Sequence, residues 1–215
     1  LYDDIENKGI YGIATTIRAS LRYVRREARS RLIAARGTNV YDKDWDVLIL
    51  LDCARVDMMQ EVCDEYPFLK EIDSHRTTGT NSARWMNSTF TSEYKDKMAN
   101  SVYITGNMAS EENLSNDQFH HLEQVWRDGW DEEFGFMPAC EITDRAIYYG
   151  RKYNYDRMIV HYMQPHLPFI LFSKEGNESI QIEDTQCGGM AVGDLYKEEN
   201  WTRQQLWDSH IENLH

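Results

Sequence analysis

An α/β fold, with helices on both faces of a parallel sheet, is the class this sequence predicts, and three observations predict it. Three short apolar runs, VLILL at 47–51, SVYIT at 101–105 and RMIVHYM at 157–163, have the length and β-branched content of strands. Helix-patterned or polar stretches separate them, as crossover connections between parallel strands require. Each run also ends on polar residues: Asp52 after the first, Asn107 after the second, Gln164-Pro165-His166 after the third. Ligands of open α/β sheets gather at the carboxyl ends of strands. The expected architecture is a three-layer α/β/α sandwich.

Taken in order, the elements begin with a basic segment. Residues 1–40 carry eight basic and four acidic residues, whereas the whole chain is at −13, so the rest stands at −17. Ile10, Ile13, Ile17, Leu21, Val24, Ala28 and Leu32 recur at steps of three and four, one face of a helix. Arg18, Arg22, Arg25, Arg26 and Arg29 lie largely elsewhere around it. Such a helix packs its apolar face on the domain and leaves the arginines solvated. Alternatively it lies on a membrane surface, over residues 10–33, or binds an acidic partner. Residues 41–215 then read as one α/β domain. Val47–Leu51 is apolar throughout, which predicts a strand covered on both faces. A helix is expected from Arg55 to Glu65, a turn at Gly79, a helix whose first turn is Ala83 to Met86, and a strand at 101–105 ending at Gly106. HHLEQVWRDGWDEEFGF, at 120–136, reads as part helix and part loop. Thr143 is placed to cap a helix over Asp144 to Gly150. The third strand follows, then an extended polar loop over 173–194. A last helix from Leu195 has Trp201, Leu206 and Ile211 on its buried side. It carries no stop signal, and residue 1 is leucine, so the chain is expected to be a piece of a longer domain.

Bulk composition narrows the function. An acidic surface of this size repels nucleic acid. No run reaches the ~20 apolar residues of a membrane span, and the acidic start is not a signal peptide, which predicts a cytoplasmic protein with free thiols. Only eight of the 23 basic residues are lysine. That bias suits a high-salt cytoplasm, where acidic surfaces stay hydrated, or simply an acidic protein of ordinary habitat.

Two places have the residue types that chemistry needs. A carboxylate at a buried strand end is costly unless paired or bound to a cation, so Asp52 is expected either to pair with Arg55 or to bind a metal. In RTTGTNSARWMNSTF, 76–90, Thr80 and Ser82 sit where a helix N-terminus favours an anionic nucleophile and an anionic substrate. Each is equally a candidate helix cap.

LILLDCARVDMM, the Thr/Ser turn before ARWMNSTF, YITGN and IVHYMQPHLPF occur in this order. Together they resemble the alkaline phosphatase superfamily, specifically sulfatase-like proteins of salt-loving archaea, from about Trp45 to His166. The resemblance implies an alkaline phosphatase-like domain that hydrolyses or transfers phosphate or sulfate esters. It assigns metal binding to Asp52 and His166, the nucleophile to Ser82 or Thr80, and substrate contacts to Arg84, Arg55 and Asn107. His161 reads as a satisfied core residue. The implied cofactor is a divalent metal, zinc, manganese or calcium, and the implied partner is an anionic ester. The frame departs from true sulfatases: Cys53 replaces a second aspartate, no cysteine lies in the turn, and one alignment puts Asn81 at the nucleophile position. No Asp-His-Gly element is present, so the chain is expected to be inactive alone. The alternative is a non-catalytic relative that binds an anionic glycan or lipid.

Overall fold

The computed structural model describes residues 2–132, 135–166, 169, 171–172, 179–180 and 202–215. It opens with a long helix α1, Tyr2–Ala34. There follow β1 (Val47–Leu51), α2 (Val56–Val62), α3 (Ser82–Thr89), α4 (Lys95–Ala99) and β2 (Ser101–Thr105). Next come α5 (Ser110–Asn113), β3 (His121–Gln124), α6 (Ala139–Lys152) and β4 (Arg157–Tyr162). A two-residue antiparallel pair, β5 (Leu171–Phe172) and β6 (Ser179–Ile180), and α7 (Arg203–Glu212) complete the described elements. The extended loop expected over 173–194, the helix expected from Leu195 to 201, and Trp201 lie outside the described residues apart from β6.

The sheet is parallel, in the order β1-β4-β2-β3. The chain leaves β1, skips a position, lays down β2 and β3, and returns to fill the gap with β4. Side-chain alternation along the two inner strands sends residues to opposite faces. Tyr103 of β2 and Ile159 of β4 join Tyr41, Met86, Phe90, Met98 and Phe119 in one core. Val102, Ile104, Met158 and Val160 join Ile142 and Tyr149 of α6, with Val125 and Met137, in the other. Apolar clusters therefore cover both faces of the central strands, and the α/β class stands.

Four local expectations are corrected. The strand β1 is an edge strand, and Val47 and Ile49 on one of its faces are 53% and 59% exposed, so the run is not covered on both sides. The stretch read as part helix contains the polar edge strand β3. It is tied to α6 by Arg145, which donates to Glu123 at 3.0 Å. Thr143 caps nothing. It sits inside α6, and its hydroxyl donates back to the Ala139 carbonyl at 2.9 Å, a bond that Thr makes in mid-helix. Finally, the apolar stripe of α1 does not pack on the domain: Ile17, Leu21, Val24 and Leu32 are 53–60% exposed.

Among the described residues, no helix is long and apolar enough to cross a membrane, and Cys53, Cys63 and Cys140 are free thiols.

Candidate active site at the carboxyl ends of the strands

Three strand ends meet at one point. The Asp52 amide donates to the Tyr162 carbonyl, and the Gly106 amide donates to the His161 carbonyl at 3.0 Å. These two bonds extend the sheet pairing one residue past β1 and β2 and fix where the following side chains start. Asp52 then turns sharply. Ala54 bonds back to the Leu51 carbonyl, and Cys53 takes φ 70°. That left-handed conformation is strained for a residue with a side chain, and strain of this kind collects at functional sites.

The carboxylate of Asp52 accepts two hydrogen bonds on one oxygen. Ser82 Oγ donates to Oδ2 at 2.9 Å and Asn107 Nδ2 donates to the same atom at 2.8 Å. His161 Nε2 stands 3.9 Å from it. The buried His161 ring shares a 2.8 Å hydrogen bond between Nδ1 and the Tyr103 hydroxyl, and Trp85 meets it edge-on. Burial pushes the His161 pKa down, against the pull of the Asp52 charge. Its neutral ring best presents Nε2–H to the carboxylate and accepts the Tyr103 hydroxyl on Nδ1. Burial and the neighbouring carboxylate push the Cys53 thiol up to about 12, so it is protonated at neutral pH.

The local sequence explains why Ser82 is available. Asn81 caps α3, its side chain accepting from the Arg84 amide at 2.9 Å. With the cap supplied one residue earlier, the Ser82 hydroxyl at the first helical position is left to Asp52. Gly79 makes this approach possible: a Cβ there would lie 2.2 Å from the Trp85 amide nitrogen. Gly79→Ala should therefore push the turn off α3 and cost at least about 2 kcal/mol. Denaturant unfolding of the variant measures this, and an unchanged midpoint would remove the role given to Gly79.

The expected site residues divide. Asp52, Ser82 and Asn107 do come together. Asn107, expected to touch substrate, is buried: its Oδ1 accepts from the Ala109 amide while its amide group donates to Asp52. Arg55 pairs with Asp57 at 2.5 Å, not with Asp52, and its guanidinium lies 5.9 Å from the Trp207 ring. Arg84 reaches α1, where Glu27 accepts from it at 2.5 Å. Thr80, Asn81 and Arg84 line a cleft of about 420 Å³ with Arg26, Arg29 and Ile33 of α1. This cleft is cationic and adjoins the start of α3. His166 sits in the turn after β4, its carbonyl accepting from Asn213 Nδ2 at 3.3 Å. The histidine facing Asp52 is His161, which the sequence hid as a core residue. The signal was its parity with the inward Ile159, two residues earlier on the strand.

Among the described residues no three His, Cys, Asp or Glu side chains gather as a metal site. One carboxylate and one neutral imidazole do not by themselves fit a divalent cation, which takes at least three protein donors in catalytic zinc sites.

The buried imidazole has a consequence for stability. The His161 pKa is lowered in the fold, so below the ordinary value of ~6.5 the unfolded chain binds a proton that the folded one refuses. Stability from this residue is whole above pH ~6.5 and is lost as pH falls toward the depressed folded pKa, by up to about 1.4 kcal/mol per pH unit. Melting in the presence of a chelator between pH 7 and 5 should show this slope, and His161→Gln should flatten it. An equal slope in the variant would assign the effect elsewhere.

Searches against protein-family models, curated proteins and solved structures found no match to this chain.

Proposed function

We propose that the chain carries the nucleophile half of a hydrolase or transferase acting on phosphate or sulfate esters, within a three-layer α/β/α domain of the alkaline phosphatase type. The observation that carries this is the 2.9 Å hydrogen bond from Ser82 Oγ to Asp52 Oδ2 at the start of α3. A serine hydroxyl is a weak nucleophile until a base takes its proton, and Asp52 is placed to take it. Asn107 holds that carboxylate by a hydrogen bond to the same oxygen, and the buried His161 ring lies beside it. The N-terminal amides of α3 and the arginine-lined cleft beside them favour an anionic ester.

The step balances as follows. Ser82 Oγ attacks phosphorus or sulfur and its proton passes to Asp52. The bond to the leaving alkoxide breaks, and the alcohol departs after protonation by water. Water then hydrolyses the serine ester, and Ser82 recovers its proton from Asp52. The divalent cation implied by the sequence resemblance has no step here.

The rival, a non-catalytic binder of anionic glycan or lipid, drew on Asn81 at a nucleophile position. The structure gives Asn81 a separate task as helix cap. An assay on 4-nitrophenyl phosphate and sulfate esters, with chelator and then with zinc, manganese or calcium, tests the proposal. Release of nitrophenol above the uncatalysed rate in any of these conditions supports it. The proposal departs here from the expectation that the chain is inactive alone, and no release in all of them favours that expectation and the binder.

A further inference from the structure

We propose that α1 is a docking surface for an anionic lipid bilayer, lying in the plane of the interface with Ile17, Leu21, Val24 and Leu32 buried among the acyl chains. This goes beyond the ester chemistry and does not depend on it.

The contacts described between the helix and the domain lie on one side of it. Glu27 holds Arg84 of α3, and Ile33 lines the cleft with Thr80 and Asn81. At ~100° per residue the apolar stripe is centred roughly 150° around the helix from this attached side. The four stripe side chains are accordingly 53–60% exposed. An unpartnered row of large apolar side chains on a soluble surface marks an interaction site.

Charge selects the partner. Between Thr15 and Ala34 the helix has six arginines and one acid, Glu27, which is already engaged by Arg84 and Arg31. Arg18, Arg22, Arg25 and Arg29 fall along one flank of the stripe by the same ~100° spacing. A second copy of α1 would bring arginine rows against each other. An anionic surface meets them with opposite charge, while their methylene stems extend the apolar contact. The rest of the chain, at −17, is repelled from such a surface and stays on the far side of the helix.

The repeat fits a flat partner as well. Ile10, Ile13 and Ile17 recur eleven residues on as Leu21, Val24 and Ala28, and Leu32 begins a third set. Eleven residues fill three turns at ~3.67 residues per turn, so the stripe drifts more slowly around a straight helix than a heptad seam does. A heptad seam needs a supercoiled partner, whereas from Ile17 to Leu32 this stripe stays on one exposed side of the helix.

Co-sedimentation of the full chain with vesicles tests this, using phosphatidylglycerol against phosphatidylcholine at low and high salt. The expected result is binding to phosphatidylglycerol alone, weakened by salt, and on the order of a hundredfold weaker for L21E/V24E. Both substitutions are at exposed positions, and circular dichroism checks that the variant stays folded. Absence of binding to phosphatidylglycerol, or binding unchanged by L21E/V24E, overturns the proposal. So does light scattering that shows a dimer which L21E/V24E converts to monomer, since the stripe would then be a self-interface.

Discussion

Replacing Ser82 with alanine should lower ester turnover by at least about a thousandfold, the loss expected when a covalent nucleophile is removed. Thr80→Ala should change it by less than about tenfold. The difference follows from placement. Ser82 Oγ is 2.9 Å from the Asp52 carboxylate, whereas Thr80 lines the cleft on the α1 side. Folding should survive in both variants. Ser82 is only half-buried, and Asn81, not Ser82, supplies the helix cap. Steady-state kinetics on the nitrophenyl esters read the outcome. A Thr80→Ala variant as inactive as Ser82→Ala would move the nucleophile, or part of its machinery, to Thr80.

The second large effect is expected at Asp52. Asp52→Asn keeps the size of the side chain and an oxygen that can accept from Ser82, but removes the base. Turnover should fall on the order of a thousandfold, with little change in KM, because the loss is in the reacting state. Asp52→Ala adds a stability cost of about 1–3 kcal/mol, because the buried Asn107 amide loses its acceptor. Combining Asp52→Asn with Ser82→Ala should cost little more than Ser82→Ala alone, since the two act as one unit. Additive losses in that double variant would separate the two residues into independent roles.

What the sequence revealed follows from where the physics was local. The strands β1, β2 and β4 are rich in Val, Ile, Leu and Tyr, and their bounds were legible to within a residue. The strand β3, HLEQ, has one fully buried position, Leu122, and relies on Glu123–Arg145 and its edge pairing with β2. No local pattern announces that. The helix α6 starts four residues before the apparent cap, because Thr143 has the residue type of a cap but bonds backward inside the helix. The helix α7 buries Ser209 and His210 beside Leu206, so hydrophobic period found Leu206 but not the polar part of its inner face.

The site divides in the same way. Asp52, Ser82 and Asn107 were legible because each stands just past a strand or at a helix start, positions that sequence places well. Their mutual hydrogen bonds were not legible, nor was the choice between Arg55 and the Ser82–Asn107 pair as partners of Asp52. Arg55 is drawn to Asp57, two residues away, and the separation of 30 and 55 residues from Asp52 to its actual donors is closed only by the sheet order. His161 was read as a satisfied core residue, which its burial and its bond to Tyr103 bear out, but its nearness to Asp52 was not legible.

The most direct test is mass spectrometry of the chain after brief exposure to an activated phosphate ester, quenched in acid to preserve a phosphoserine. The expected result is one added phosphoryl group per chain, located at Ser82 in the peptide that spans the start of α3, and absent from Ser82→Ala and Asp52→Asn. A phosphoryl group found on another residue, or an unmodified Ser82 in a chain that nonetheless turns over the ester, would contradict Ser82 as the nucleophile.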